Sequence, residues 1–163
     1  LPDEAGTLAT TAFVTNRLVQ NLNVTTGAMA TGTNLMPDDD TIPQITDGDQ
    51  YMSLAITPTS TTSVIEVNVR FEHSHSASSD PGAALFRNDV ADALACAYWS
   101  AAANIRTNKT ISYYMISGTT AEIVFSFRMG GSATGTTTFN GVVGQRKYGG
   151  AMGSSITIKE YAA

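Results

Sequence analysis

The stretch of this 163-residue chain that decides its fold class is SVIEVNVRF, residues 63–71. Its apolar side chains fall at every second position, at Ile65, Val67, Val69 and Phe71, and polar side chains fill the positions between them. Successive side chains of a β-strand point to opposite faces of the sheet. The alternation therefore predicts a strand with one face in a core and the other outside it.

Shorter segments with similar features lie on both sides of this strand. The predicted strands are Tyr51–Thr57, Ala83–Arg87, Thr110–Ile116, Ala121–Met129, Thr136–Asn140 and Ser154–Tyr161, with Thr41–Thr46 as a short edge strand weakened by Pro43. About eight short strands separated by turn signals are typical of an antiparallel β-sandwich or jelly roll, so we predict an all-β fold. Residues 91–103 have the composition of a helix, but in this context we expect a loop followed by a strand.

Composition and charge exclude several classes of protein. Charged residues make up 14% of the chain, against about 25% in a typical soluble domain. The net charge of −5 argues against nucleic acid or an anionic membrane as the main partner, because phosphate binding needs clustered positive charge. Cys96 is the single cysteine, which excludes an internal disulfide and a zinc site built on paired thiolates. No apolar run approaches the roughly 18 residues of a membrane-spanning helix, so we expect no membrane insertion.

The beginning of the chain has a different pattern. Thr10 or Thr11 can cap a helix over residues 12–22, and Val14, Leu18 and Leu22 fall on one stripe of that helix. A helix this short is marginal alone in water, so the stripe needs a partner, which is either the following domain or copies of itself. Residues 23–37 are rich in Gly, Thr and Ala and are typical of a linker. We therefore divide the chain into residues 1–37, a helix and linker, and residues 38–163, the β-sandwich.

Two parts of the sequence resemble known viral proteins. Leu8-Ala-Thr-Thr-Ala-Phe-Val14 resembles a segment that recurs in bacteriophage tail fibres, where it closes a shaft repeat. Most of the remaining chain is similar to a C-terminal domain of phage tail fibres and tailspikes, on the segments Asp39–Gln44, Ala84–Phe86, Gly135–Gly141 and Gly149–Ile158. The resemblance implies a homotrimeric knob at the distal end of a fibre in the virion, joined through its N-terminal helix to an upstream shaft. Because the sequence opens at Leu1, we expect a fragment of a longer protein.

The resemblance implies two functions. The knob would attach the phage to its host through a surface receptor, a glycan or a protein. Alternatively, it would drive trimer assembly of the fibre without contacting a receptor, and Val14, Leu18 and Leu22 are the expected trimer contacts in either case. The family offers no active-site motif, and we expect no enzyme. A carboxylate pair for sugar hydrolysis would have to come from Glu66, Glu72, Glu122 and Glu160.

Aromatic and basic side chains are the candidates for receptor binding. Tyr98, Trp99 and Tyr148 can stack on the apolar face of a sugar, and we expect Trp99 to be exposed or to lie in a subunit interface. Packing in the core or in the trimer interface is the alternative for each ring. Arg146 and Lys147 form a basic loop tip between glycines, which can meet an acidic lipopolysaccharide or capsule, or an acidic neighbour. Tyr113 and Tyr114 point to opposite faces of a strand, so at most one of them is on the surface.

We expect no cofactor, with one possible exception. His73 and His75 continue the parity of Phe71, so both rings lie on one strand face and can share a metal ion, which three chains would enclose on a three-fold axis. The alternative is that the strand ends near Glu72 and both histidines belong to a polar loop. The carboxylates of Asp38, Asp39, Asp40, Asp47 and Asp49 are candidate ligands of calcium, but their spacing does not match a calcium-binding loop, and a solvated acidic loop is the favoured interpretation.

Overall fold

The computed structural model describes residues 17–162. Strands account for 54% of the structure and helix for 2%, so the predicted all-β fold is confirmed. The described residues form these strands: β1 (Leu18–Thr26), β2 (Ala30–Gly32), β3 (Asp49–Ile56), β4 (Val64–His75), β5 (Gly82–Arg87), β6 (Ala95–Tyr98), β7 (Thr107–Ile116), β8 (Ile123–Gly130), β9 (Thr137–Phe139), β10 (Gly141–Val142), β11 (Gln145–Arg146) and β12 (Ser154–Tyr161). A 3-10 turn covers Tyr148–Gly150. Within residues 17–162, no helix has the length and apolar character needed to cross a bilayer.

The long strand β4 organises the first sheet. On one edge it pairs with β7, and on the other with β12 over Val64–Arg70 and then with β9 over His73–His75. The two edges are distinct because His73 pairs with both Thr107 and Phe139. β12 and β9 thus lie end to end along one edge of β4. β1 and β2 lie end to end beyond them, since β1 pairs with β12 and β2 pairs with β9. All of these pairings are antiparallel, and the sheet is four strands wide along most of its length.

The second sheet has the order β3-β8-β5-β6 and packs face to face with the first. The apolar positions of β4 are fully buried between the sheets, as the alternation in residues 63–71 predicts. Phe71 packs against Phe127 of β8 with ring centroids 4.6 Å apart, and Phe139 joins the same aromatic cluster. Burying one such side chain contributes roughly 1.5–3 kcal/mol, so this layer holds the two sheets together.

The predicted helix over residues 12–22 is wrong where the structure describes it. Residues 18–26 form β1, with Leu22 and Val24 packed against the core. The spacing of Leu18 and Leu22 fits a helix, but Leu22 and Val24 also alternate as in a strand, and pairing with the open edge of β12 provides hydrogen bonds along the whole segment. Val14 and the rest of the predicted helix lie outside the described residues. The linker predicted over residues 23–37 is also corrected, because it contains the end of β1 and all of β2.

One loop connects β9 to β12, which lie end to end along the same edge of β4. Residues 140–153, named here the 140–153 loop, leave the sheet after β9, form the β10–β11 hairpin and the 3-10 turn, and return at β12. Asn140 closes the gap. Its amide nitrogen donates to the carbonyl oxygens of Thr26 (2.8 Å) and Ala28 (3.1 Å), and its side-chain oxygen accepts from the hydroxyl of Ser154 (2.7 Å). Asn140 thus joins the two ends of the loop to the break between β1 and β2.

Replacing Asn140 with alanine should destabilise the whole domain. The residue is fully buried with a φ of 53°, a left-handed conformation that alanine adopts at a cost, and three hydrogen-bond partners would lose their bonds. We expect Asn140→Ala to lower the free energy of unfolding by about 2–4 kcal/mol in a urea titration.

Val143 is the matched control for this backbone conformation. It has the same φ of 53° at the exposed tip of the β10–β11 hairpin, where asparagine followed by glycine is the preferred sequence. Val143→Asn should raise the free energy of unfolding by about 0.5–1 kcal/mol. Equal stability of Asn140→Ala and the wild type would contradict the role assigned to Asn140.

Candidate functional site

The 140–153 loop forms one wall of a cleft of about 560 Å³. The opposite wall comes from the start of β7, and the floor comes from the outward face of β4. The lining residues are Glu72, Arg106, Thr107, Asn108, Tyr148, Ala151 and Met152. Because the loop leaves the sheet beside the end of β4, residues that are far apart in the sequence meet here.

Tyr148 is the most prominent side chain of the cleft. It is 73% exposed, and the guanidinium of Arg106 lies 5.5 Å from its ring centroid. A cation over one face leaves the other face free for a flat apolar partner. The φ of Tyr148 is 50°, a conformation that costs a non-glycine residue of the order of 1 kcal/mol. The 3-10 turn holds this conformation through the bond that the amide of Ala151 donates to the Tyr148 carbonyl (3.0 Å).

Glu72 and Asn108 form the polar floor of the cleft. Oε1 of Glu72 accepts hydrogen bonds from Arg70 (2.9 Å) and from the Asn108 amide (2.5 Å). Arg70 also donates to the carbonyl of Gly153 (2.8 Å), which ties the end of the 140–153 loop to β4. Among the described residues only Oε1 is engaged, so Oε2 remains able to accept from a ligand hydroxyl.

The structure separates the aromatic side chains predicted to form the receptor site. Tyr148 lies in the cleft, with Arg146 and Lys147 immediately before it in the chain. Tyr98 is 59% exposed but lines a different groove, of about 480 Å³, beside β6. The expectation that Trp99 is exposed is wrong, and the alternative of core packing holds, because this ring is only 8% exposed and lies 5.8 Å from Phe71.

Trp99 faces inward because it continues the alternation of β6, in which Ala95 and Ala97 pack against the core and Tyr98 is exposed. Its amide donates to the carbonyl of Pro81 (3.3 Å), next to the pair that Gly82 forms with Tyr98. The ambiguous segment is a loop followed by a strand, as predicted. Tyr114 is exposed and Tyr113 packs against the core, so the prediction that at most one of them is on the surface is confirmed.

The two histidines lie inside the sandwich of a single chain. β4 continues through His75, so the alternative of a polar loop after Glu72 is wrong. Both rings are buried, and the nitrogens of His75 contact the hydroxyl of Thr137 (3.0 Å) and the carbonyl of Ala133 (3.2 Å). His73 packs edge-on against Trp99 at 4.7 Å. Burial in one core is incompatible with a metal shared around a three-fold axis.

The glutamates considered as a carboxylate pair for sugar hydrolysis belong to separate hydrogen-bond networks. Tyr161 donates to Glu66 (2.7 Å), and this bond, with those from neighbouring side chains, lowers the pKa of Glu66 to about 2. Burial alone would raise the pKa of Glu160, but hydrogen bonds from Thr59 and Gln20 outweigh it and hold that pKa below its usual range. These two glutamates and Glu72 therefore have different hydrogen-bond partners, and Glu122 lines a separate groove with Arg87 and Asp89.

The carboxylates proposed for calcium serve nearby backbone and side-chain donors. Asp47 accepts from the amide of Gln44 (2.7 Å), and Asp49 accepts from the backbone and side-chain nitrogens of Asn34. No group of three or more potential metal ligands occurs among residues 17–162.

Sequence reasoning missed Arg106, Asn108 and Glu72 as cleft residues. Arg106 and Asn108 lie in a polar stretch before a strand and have no distinctive spacing. Glu72 follows the alternating segment as an ordinary outward position. Only the path of the 140–153 loop brings them to Tyr148.

No known protein family and no curated protein matches this chain. Solved structures with a similar arrangement include Eiger TNF from S. frugiperda, at 13% identity over 87% of this chain and 93% of that chain, with a TM-score of 0.46. Another is the CBM36-1 domain of a multidomain xylanase from the hindgut metagenome of Trinervitermes trinervoides, at 10% identity, 85% and 96% coverage, and a TM-score of 0.42. A CBM4 structure matches at 14% identity over 63% of this chain and 66% of that chain, with a TM-score of 0.39.

The class of this protein follows from its own topology. It is an antiparallel β-sandwich with a lateral cleft built on an inserted loop. The comparisons identify no phage tail fibre family by sequence, so that resemblance stays a prediction.

The buried His73 should make stability depend on pH. Burial lowers its pKa to about 4, below the value of about 6.5 in an unfolded chain. The unfolded state therefore binds the proton first, and stability is lost as the pH falls from about 6.5 towards 4. We expect a loss of about 3 kcal/mol over this interval, measured by urea titration at several pH values.

His73→Leu should remove most of this dependence. His75→Gln should remove a smaller part, because burial also lowers the pKa of His75 while its hydrogen bond with the carbonyl of Ala133 opposes that shift. Glu66 interferes little above about pH 4.5, because its stabilising ionisation is lost only as the pH falls below its unfolded value. If the free energy of unfolding falls equally between pH 6.5 and 4.5 in the wild type and in His73→Leu, the pKa of His73 is not depressed.

Proposed function

We propose that this chain is the receptor-binding knob of a phage tail fibre or tailspike, and that it binds a host-surface glycan in the cleft around Tyr148. The observation that carries the proposal is the open ring of Tyr148 beside the Glu72–Asn108 pair. A flat exposed ring next to converging polar groups is the arrangement that a sugar needs. The proposal includes no catalytic step, cofactor, nucleic acid or membrane insertion.

The cleft offers each part of a sugar a matching group. The C–H face of a pyranose packs on the face of Tyr148 that Arg106 leaves free. Oε2 of Glu72 accepts from a hydroxyl, while Asn108 and Arg106 donate to ring or hydroxyl oxygens. The volume of about 560 Å³ lies within the roughly 300–1,000 Å³ of small-ligand sites and is large enough for one or two sugar rings.

An open cleft of this kind favours attachment by several weak contacts. One exposed ring and a few hydrogen bonds give modest affinity per site. A homotrimer at the distal end of a fibre would present three sites on one rigid particle, and their combined avidity exceeds each affinity by orders of magnitude. In this proposal the upstream shaft joins the knob before β1 and places it at the tip of the virion's fibre.

Tyr148→Ala should abolish glycan binding without unfolding the domain. The side chain is mostly in solvent, and alanine removes the stacking surface alone. We expect binding on a glycan array, followed by titration calorimetry with the best ligand, to fall at least about tenfold. Circular dichroism melting curves check the fold.

Tyr98→Ala is the matched control, because Tyr98 is another exposed tyrosine in a different groove. It should bind as the wild type does. A loss of binding in Tyr98→Ala with none in Tyr148→Ala would move the site to the β6 groove. Absence of binding to any glycan by the wild type would contradict the proposed function.

One observation favours assembly of the fibre as a second function. Leu18, Tyr161, Val64 and Ile116 are paired in register across the first sheet. Directly paired residues share a face, so these side chains form an apolar row on its outward face. Leu18 is 48% exposed and Ile116 is 56% exposed. We propose that this row contacts other copies of the chain near the point where the shaft would enter, and Leu18 keeps its predicted role as a trimer contact.

Ile116→Lys should dissociate the trimer by placing a charge in the apolar row. Light scattering after size exclusion should give a mass of three 17.1 kDa chains for the wild type and one for the variant. Ile105→Lys, at an exposed isoleucine outside the row, should remain trimeric. A monomeric wild type would rule out the assembly function for this part of the chain.

A further inference from the structure

We infer that the ligand of the Tyr148 cleft is an acidic glycan, whose sugar carboxylate is bound by Arg106 with support from Arg146 and Lys147. The inference rests on the proposed function and specifies its ligand. The chemical class is a polysaccharide containing hexuronic or sialic acid, which carries a carboxylate beside free hydroxyls.

The charge distribution is the first observation. The chain has 9 basic and 14 acidic side chains, so an arbitrary surface patch should be acidic. Among residues 17–162, the basic side chains that form ion pairs are Arg70, Arg87 and Lys159. Arg106, Arg146 and Lys147 form none in that part of the chain, and two of them directly precede Tyr148. A cluster of unpaired cations on an acidic protein attracts an anionic ligand to this place.

The remaining basic side chains do not produce a similar cluster. Arg128 donates to the backbone carbonyls of Asp47 (2.9 Å) and Gly48 (2.8 Å), so it is part of the scaffold. Lys109 lies over the ring of Trp99 at 5.8 Å. Arg17 lies at the start of β1, at an edge of the first sheet. Of the cations without an ion pair in this part of the chain, Arg106 lines the cleft, and Arg146 and Lys147 directly precede Tyr148.

The geometry of Arg106 is the second observation. Its guanidinium packs over the ring of Tyr148. Within the described residues, its N–H groups make one weak hydrogen bond, from Nη1 to the sulfur of Met152 (3.7 Å). Most donors of the guanidinium fork are thus available. The fork matches the two oxygens of a carboxylate, and stacking on the tyrosine orients the guanidinium before the ligand arrives.

Glu72 makes the cleft selective for an acidic sugar over a simple anion. Its carboxylate is paired with Arg70 and accepts a hydrogen bond from Asn108, and the free oxygen of the ionised group can only accept hydrogen bonds. A ligand must therefore bring a hydroxyl donor to Glu72 and an anionic acceptor to Arg106. A uronic or sialic acid supplies both on one ring. A nucleic acid brings closely spaced phosphates, which the small number of cations here cannot neutralise.

The test compares ligands that differ only in charge. Oligogalacturonate is titrated against its fully methyl-esterified form, and sialyllactose against its carboxyl methyl ester, by calorimetry at low and high salt. An array with acidic and neutral members extends both comparisons. We expect an acidic ligand to bind at least about tenfold more tightly than its neutral partner, since charge-assisted hydrogen bonds are roughly twice as strong as neutral ones. High salt should reduce the difference.

Three variants assign the effect to the cleft. Arg106→Gln should bind acidic and neutral ligands equally, and Arg106→Lys should keep part of the preference because it keeps the charge without the fork. Arg17→Gln makes the same change of charge at the start of β1 and should leave the preference intact.

The outcomes separate this inference from the proposed function. Equal binding of acidic and neutral glycans, lost in Tyr148→Ala, would overturn the acidic ligand and leave glycan binding in place. An acidic preference that survives Arg106→Gln would also overturn the assignment to Arg106. Failure of every acidic and neutral glycan to bind would overturn both.

Discussion

The hydrogen bonding of β4 along both edges is the constraint on which the rest of the structure depends. This strand spans the full length of the first sheet, and five other strands are positioned by it directly or through one neighbour. Its inward side chains supply the centre of the core, while its outward side chains include Glu66 and Glu72. One strand therefore sets the packing of the two sheets and also provides the floor of the cleft.

The cleft exists because a loop is inserted between β9 and β12 while both strands stay paired with β4. Asn140 replaces the missing backbone pairing with side-chain hydrogen bonds, so the 140–153 loop departs from a fixed point. Arg70 holds the far end of the loop through Gly153. The strained backbone at Tyr148 is thus supported at both ends of a short loop. Rigid support of this kind keeps an exposed ring in one orientation, which lowers the entropy lost when a ligand binds.

The fold was predictable from the sequence where the spacing of apolar side chains fits one kind of secondary structure. The prediction failed where the spacing fits both a helix and a strand. The alternation in residues 63–71 identified β4, and the same signal located β7, β8 and β12. The segment with Leu18 and Leu22 fits two periods, and pairing with β12, which is remote in sequence, decided between them. The cleft was predictable only in part. Tyr148 was identified by its chemistry, whereas Arg106 depends on the path of a loop. The inward position of Trp99 depends on the register of β6, which the composition of residues 91–103 left ambiguous.

The antiparallel pairing of β1 with β12 has a mechanical consequence for a domain that is held at one end and pulled at the other. Tension entering at residue 17 acts on the N-terminal end of β1, and tension from a ligand at Tyr148 enters β12 at its own N-terminal end. In an antiparallel pair these two ends lie at opposite extremities. The load therefore shears the ladder, and all its hydrogen bonds resist together instead of opening one after another. The same pairing that completes the sheet makes the domain resistant to force along this direction.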